Sequence, residues 1–276
     1  MPRHRGTYNP ENKEAYELSR SRIENFVKCP ACFYLTQVKG IKFPSIPGFN
    51  INEATDVLLK RDFDKFRGAE ITHEFLINLD MGHLVPFEHP DFELWTQSLH
   101  FGAQGRMHFV HEASNLKVGG GLDDVWHDRE TDQLFIVDYK STASRANEDK
   151  TKLAEITLHG NYKEGYKRQM EIYQWIMRQN GFNVSDVAYF VYVNGDQHFE
   201  DGMLKNQSDN AVMRFDVELI EYQGNDAWVE KTIIDLKACL ERQNCPEHAA
   251  SGFGPKGDKQ CEYATLFDGM SENGLI

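Results

Sequence analysis

Gly120-Gly121-Leu122-Asp123 and, one turn later, Gln133-Leu134-Phe135-Ile136-Val137-Asp138-Tyr139-Lys140 decide how this chain is read. Residues 116–128 (LKVGGGLDDVWHD) have the pattern of a strand interrupted by glycines, residues 129–132 (RETD) that of a turn, and residues 133–142 (QLFIVDYKST) that of a second strand. Side chains two apart on a strand share a face, so Leu134, Ile136, Asp138 and Lys140 line one side. A carboxylate and an amine therefore leave the same strand end, and hairpin pairing would bring Asp123 beside Asp138.

Outward from the hairpin, residues 144–161 read as a polar insertion, and a helix is predicted over 163–179, stopping before Asn180-Gly181. Residues 187–193 (VAYFVYV) form a buried strand, Asn194-Gly195 a turn, residues 214–222 (RFDVELIEY) another strand, and residues 225–241 a helix. Upstream, Ser21-Arg22-Ile23-Glu24 fits a capping box opening a helix that ends near Cys29-Pro30, and Val57, Leu58, Leu59, Phe63 and Phe66 predict a helix over 53–67. Residues 68–90, with His73, His83 and His89, carry no clear period. No repeat, low-complexity tract or linker divides the chain. The pattern predicts one α/β domain over residues 1–276, a mixed central sheet flanked by helices, with residues 1–17 polar and frayed and 242–276 a cysteine-containing tail.

Two carboxylates at one strand end repel unless a cation lies between them. The arrangement suits Mg²⁺ or Mn²⁺, hard ions that take one or two protein carboxylates and leave the remaining positions to water and substrate phosphate. Lys140 would orient or deprotonate the attacking water and stabilise developing charge, and the product would be a hydrolysed phosphodiester. Taken singly, Asp123 reads first as a turn cap and Asp138 as the sheet-edge partner of Lys140; the ordered set carries the chemical reading. On the following helix, Tyr166, Gln169 and Tyr173 lie at i, i+3 and i+7 and would offer one amide and two phenols to the site, while Met170, Ile176 and Met177 mark its packed face.

Gly120-Gly121-Leu122-Asp123, Ile136-Val137-Asp138-Tyr139-Lys140 and the Gln169-x-x-x-Tyr173 pair resemble the three core motifs of the RecB-like branch of PD-(D/E)XK nucleases. Ser19-Arg20-Ser21-Arg22-Ile23, running into Phe26 and Cys29-Pro30, is similar to the start of the same branch, which includes AddB and the CRISPR-associated RecB-like exonucleases. The resemblance implies a restriction-endonuclease-like fold and a metal-dependent nuclease acting on DNA, as an exonuclease on single strands or ends, in repair, recombination, or phage or CRISPR processing. It implies Asp123, Asp138 and the Tyr139 carbonyl as metal ligands, Lys140 as catalytic, and Gln169 and Tyr173 as support. The family adds a histidine or acid from an upstream helix; His73 is the first choice, with Asp62, Asp64 and Glu74 competing.

Cys29-x-x-Cys32 places two thiols within reach of one metal, and Cys245 and Cys261 lie in the tail. The AddB-type resemblance implies a 4Fe–4S cluster, but only these four cysteines are available, with Ala264 where a further C-x-x-C partner would stand. Zinc is the alternative, with His248 three residues after Cys245 as a substitute ligand, and buried or free thiols a third reading. Cys239, in residues 233–240 (IIDLKACL), reads as core.

The formal charge of −13 works against indiscriminate binding to nucleic acid. Only a local basic groove is needed, and Arg20, Arg22, Lys28, Lys39, Lys42, Lys163, Lys167 and Arg168 are the candidates. No stretch reaches the length of a membrane span and MPRHRGTYNP has no apolar core, so a cytoplasmic location without membrane contact is expected, with DNA and proteins of a repair complex as partners. A catalytically idle nucleic-acid-binding or scaffold module on the same fold is the alternative. A different metallohydrolase lacks any H-E-x-x-H spacing.

Overall fold

A computed structural model describes residues 6–43, 50–96, 107–149, 151–198, 202–204 and 211–275. Two mixed sheets carry the fold. The larger has β2 (Leu84–Pro86), β5 (Asp124–Asp128), β6 (Gln133–Thr142), β7 (Val187–Gly195) and β8 (Phe215–Gln223) in that spatial order, antiparallel except for the β6–β7 pair. The smaller has β4 (Leu116–Gly120) between β1 (Tyr16–Ser19), parallel, and β3 (Met107–His111), antiparallel.

The parallel β6–β7 pair requires a crossover, and α6 (Glu164–Gln179) supplies it. Period-two alternation divides β6 between two cores. Leu134 and Ile136 join Phe190, Met170, Ile172 and Ile176 on the α6 side, while Phe135, Val137 and Tyr139 join Trp126, Tyr189 and Phe63 opposite. Each fully buried apolar side chain contributes about 1.5–3 kcal/mol, so register is held from both faces. Asp138 and Lys140 continue the row facing α6. On that side α6 packs with α1 (Arg20–Lys28) and α7 (Val229–Leu240), while α3 (Asn50–Asp64) packs against the other face of β6.

Several expectations change. Residues 116–128 are two strands in two sheets, because the chain leaves β4 at Gly120 and enters β5 at Asp124. Asn194-Gly195 is no turn: both pair within β7 to Asp216 and Phe215, and the Asn194 amide instead ties down the 144–154 segment. The helix predicted from Ser21 begins at Arg20 with Ser19 as its cap residue and no side-chain capping bond. Cys29 is extended, as the residue before a proline prefers, and Pro30 opens a further helix, α2 (Pro30–Gln37), at a position where its missing N–H costs nothing. Tyr16 and Glu17, at the end of the stretch expected to fray, open β1, and the tail holds a helix, α8 (Ala264–Glu272); residues 1–5 lie outside those described. The unpatterned 68–90 region holds a short helix, α4 (Glu74–Ile77), and β2, and a second short helix, α5 (Phe92–Trp95), follows it. No helix among the described residues is long and apolar enough to cross a membrane.

Candidate active site

Asp124 pairs with Val137 across β5 and β6, so extending the ladder by one residue sets Asp123 opposite Asp138. Asp123 lines a cleft of about 580 Å³ whose walls include Arg20, Asp56, Lys60, Lys140, Tyr166, Gln169 and Tyr173, and Asp138 lies buried behind it. Asp123 accepts the Tyr139 N–H at 3.1 Å and pairs with Lys60 at 3.0 Å, and Lys60 also reaches Asp56 at 2.9 Å. Asp138 is 2% exposed; its Oδ1 accepts from Gln169 Nε2 at 2.6 Å, and its Oδ2 forms an ion pair with Lys140.

These surroundings push the two acids apart in acidity, the pattern by which paired carboxylates take different roles. Burial raises Asp138 to about 7, aided by the Asp123 charge and opposed by Lys140. Burial also works against the Asp123 charge, but Lys60 and Lys140 outweigh it and hold that carboxyl below the usual range. Asp56 is raised by burial and by Asp123.

The α6 face expected at 166, 169 and 173 is turned to this cleft. Tyr173 donates to the Gly121 carbonyl at 2.7 Å, steadying the turn that delivers Asp123. A Cβ on Gly120 would lie 2.5 Å from the Tyr173 hydroxyl, so a glycine is needed for that approach. Tyr166 lies under Lys140, its centroid 5.0 Å from Nζ. Tyr139 sends its ring to the opposite face, where its hydroxyl donates to Asp124 at 2.6 Å beside Arg67 at 2.8 Å; only its backbone serves the cleft.

Gln169 Oε1 is a buried acceptor without a hydrogen-bond partner among the described residues, and the neighbouring Asp138 Oδ2 is matched by the Lys140 ammonium. Buried acceptors are normally satisfied, so the unpartnered one, in the same cleft as Asp123 and Asp56, fits a hard divalent cation. The ammonium groups of Lys60, on Asp123 and Asp56, and of Lys140, on Asp138, supply positive charge at these acids.

His73 is not brought to the cleft. Its Nδ1 accepts the Phe75 N–H at 3.0 Å as the cap of α4, and its ring stacks on Phe63 at 4.5 Å. Asp62 and Asp64 are in surface ion pairs with Lys65 and Arg67, and Glu74 is exposed. The upstream helix instead presents Asp56 and Lys60, which the sequence reading passed over. Their signal was an acid–lysine pair at i and i+4, on the stripe that runs from Asn52 toward the buried Phe63. Of the proposed basic groove, Arg20 lines this cleft and Lys163 an adjoining chamber. Arg168 and Lys28 pair with Glu24, Lys167 with Glu164, Arg22 is bound to Gln37, and Lys39 lies over Tyr34.

The second cluster forms with one exchange. The ligand atoms of Cys29, Cys32, His248 and Cys261 lie within 4.8 Å of one another and can hold a metal ion. His248 Nδ1 is 3.5 Å from Cys29 Sγ and 3.7 Å from Cys32 Sγ, which is 3.3 Å from Cys261 Sγ. Cys245 is exposed, its sulfur turned to the Ala31 carbonyl at 3.9 Å, and stands outside the group. Cys239 is buried in the core, as expected.

Among curated proteins none matches the chain. A family model described as the PD-(D/E)XK nuclease superfamily matches residues 82–265, a span that takes in the β5–β6 acids, Lys140 and the cleft face of α6 but begins after α3 and α2. The matched span holds both sheet acids, and the chain belongs to the PD-(D/E)XK nuclease superfamily.

Proposed function

We propose that the protein is a Mg²⁺- or Mn²⁺-dependent deoxyribonuclease of the RecB-like branch, working as an exonuclease on single strands or ends. The observation that carries this reading is the meeting of Asp123, immediately before β5, with Asp138, inside β6, and with Lys140 on the same face as Asp138. The Gln169–Asp138 bond and the Tyr173–Gly121 bond support the RecB-like assignment, because both residues of the Q-x-x-x-Y pair then position the acids. Asp123, Asp138 and the Tyr139 carbonyl would hold the divalent ion, with Asp56 in the place first given to His73. The ion would polarise the phosphate and acidify a water. Gln169 and Tyr173 fix the carboxylates. Lys140, released from Asp138, orients the water and offsets charge on the phosphate oxygens.

For the second centre the donor set favours zinc. Three thiols and an imidazole are a structural zinc set, and tetrahedral zinc at about 2.3 Å from each sulfur holds its ligands in mutual contact. A 4Fe–4S cubane places irons and sulfides between its ligands and would need Cys245 brought inward. Free thiols fit a reducing compartment such as the cytoplasm.

The test is cleavage of end-labelled linear and circular DNA, single- and double-stranded, with Mg²⁺, Mn²⁺ or chelator, comparing native protein with Asp138→Ala and Lys140→Ala. Metal-dependent loss of linear strands only, absent from both variants, is expected. Cut circles would remove the exonuclease reading. DNA bound but never cut by the native protein would replace the enzyme with a binding module.

A further inference from the structure

Beyond Lys140 the cleft opens into a second chamber of about 410 Å³, sharing Lys140, Ser141 and Tyr166 with the first. At its floor is Lys163, only 7% exposed. Lysine is almost never buried unless paired, and this one has no carboxylate partner among the described residues. Its ammonium donates to the Tyr192 hydroxyl at 2.5 Å and lies 4.4 Å from the Tyr192 ring centroid and 5.3 Å from those of Tyr162 and Tyr166. The remaining charges do not favour it. Burial and the Lys140 charge both lower its affinity for a proton, and it caps the start of α6, where the helix dipole is also positive. Glu155, an acid on the chamber wall, is exposed.

The local backbone is built to put it there. Gly160, at φ 104°, turns the chain out of the 144–159 segment into a 3₁₀ turn, Asn161–Lys163, which delivers Tyr162 and Lys163 together. Tyr162 is 66% exposed at the mouth. Thr142, Ser144, Arg145 and Asn147 add hydroxyl, guanidinium and amide groups to the walls. A buried cation without an anion, an exposed aromatic face and a polar wall are the parts of a single-strand subsite, in which phosphate meets charge and base meets ring. The volume suits one nucleotide and not a base pair.

We infer that this chamber is a nucleotide subsite, in which one unpaired nucleotide next to the scissile bond rests its phosphate on Lys163 and its base against Tyr162. The inference rests on the nuclease reading of the adjoining cleft and names the substrate class, single-stranded nucleic acid.

The experiment is fluorescence anisotropy of a labelled twelve-residue oligothymidylate, with Ca²⁺ in place of Mg²⁺ so that nothing is cut, across a salt series. Lys163→Met keeps the apolar stem and removes the charge; Lys163→Arg keeps the charge; Tyr162→Ala changes an exposed ring. We expect Lys163→Met to bind about tenfold more weakly and to lose about 0.7 from the slope of log affinity against log salt, the share of one single-strand phosphate. A merely structural lysine would leave that slope alone. Lys163→Arg should retain the slope, and Tyr162→Ala should bind about tenfold more weakly at every salt concentration. A slope unchanged in Lys163→Met, with Tyr162→Ala binding as native, overturns the subsite even if the native protein cleaves DNA. Lys163-dependent binding by a native protein that never cleaves keeps the subsite and overturns the nuclease reading instead. A native protein that does not bind the oligomer overturns the subsite.

Discussion

Asp138 gives the most exacting test of the site, because its metal affinity and its proton are linked. Its carboxyl titrates at about 7 in the metal-free chain, where burial outweighs Lys140. A divalent ion binds the carboxylate, so below that value each ion must displace a proton. About 3% of Asp138 is ionised at pH 5.5, half at pH 7 and roughly 90% at pH 8, so apparent affinity for Mn²⁺ should rise about thirtyfold from pH 5.5 to 8 and level off above. Asp123 does not add to this slope, being held below the usual range by Lys60 and Lys140. Calorimetric titration with Mn²⁺, in buffers of different ionisation enthalpy, should count about one proton released per ion at pH 5.5 and about half at pH 7. Asp138→Asn, which keeps the shape, should abolish that release. The same shift has a stability consequence. With the folded value above the ordinary carboxylate value, the native chain holds more protons than the unfolded one between about pH 4 and 7. The Asp138 contribution is therefore present in acid and lost as pH rises through about 7, unless metal is bound. An affinity flat from pH 5.5 to 8, or proton release that survives in Asp138→Asn, would refute the reasoning.

Two further outcomes separate the residues that the structure rearranged. Asp56→Asn should weaken Mn²⁺ binding about 10- to 100-fold, while His73→Ala, which loses the α4 cap, should leave that affinity alone and cost about 1 kcal/mol, or a few degrees in Tm; the reverse result in titration and melting would restore His73 as the ligand. Elemental analysis should find one zinc per chain, removed by Cys261→Ser or by chelation with a fall in Tm and kept by Cys245→Ser, whereas a brown, iron-containing protein would overturn the zinc reading.

What the sequence determined by itself was local and periodic. The alternation of β6 set Asp138 and Lys140 on one face with Leu134 and Ile136, and helical spacing set Tyr166, Gln169 and Tyr173 on another, since both follow from backbone geometry within one element. The hairpin turn fixed Asp123 against Asp138. Asp56 and Lys60 were invisible as site residues because an i, i+4 ion pair is ordinary on any helix surface, and only the packing of α3 on β6 turns this one toward the acids. His73 carried the more specific side chain, yet it is consumed as the cap that opens α4. The exchange of Cys245 for His248 likewise depended on how the tail folds back on α2, a choice made across more than two hundred residues of chain. Elements follow from neighbours in sequence; a site is decided by which faces of distant elements are packed together, and that is settled by the burial of the whole core.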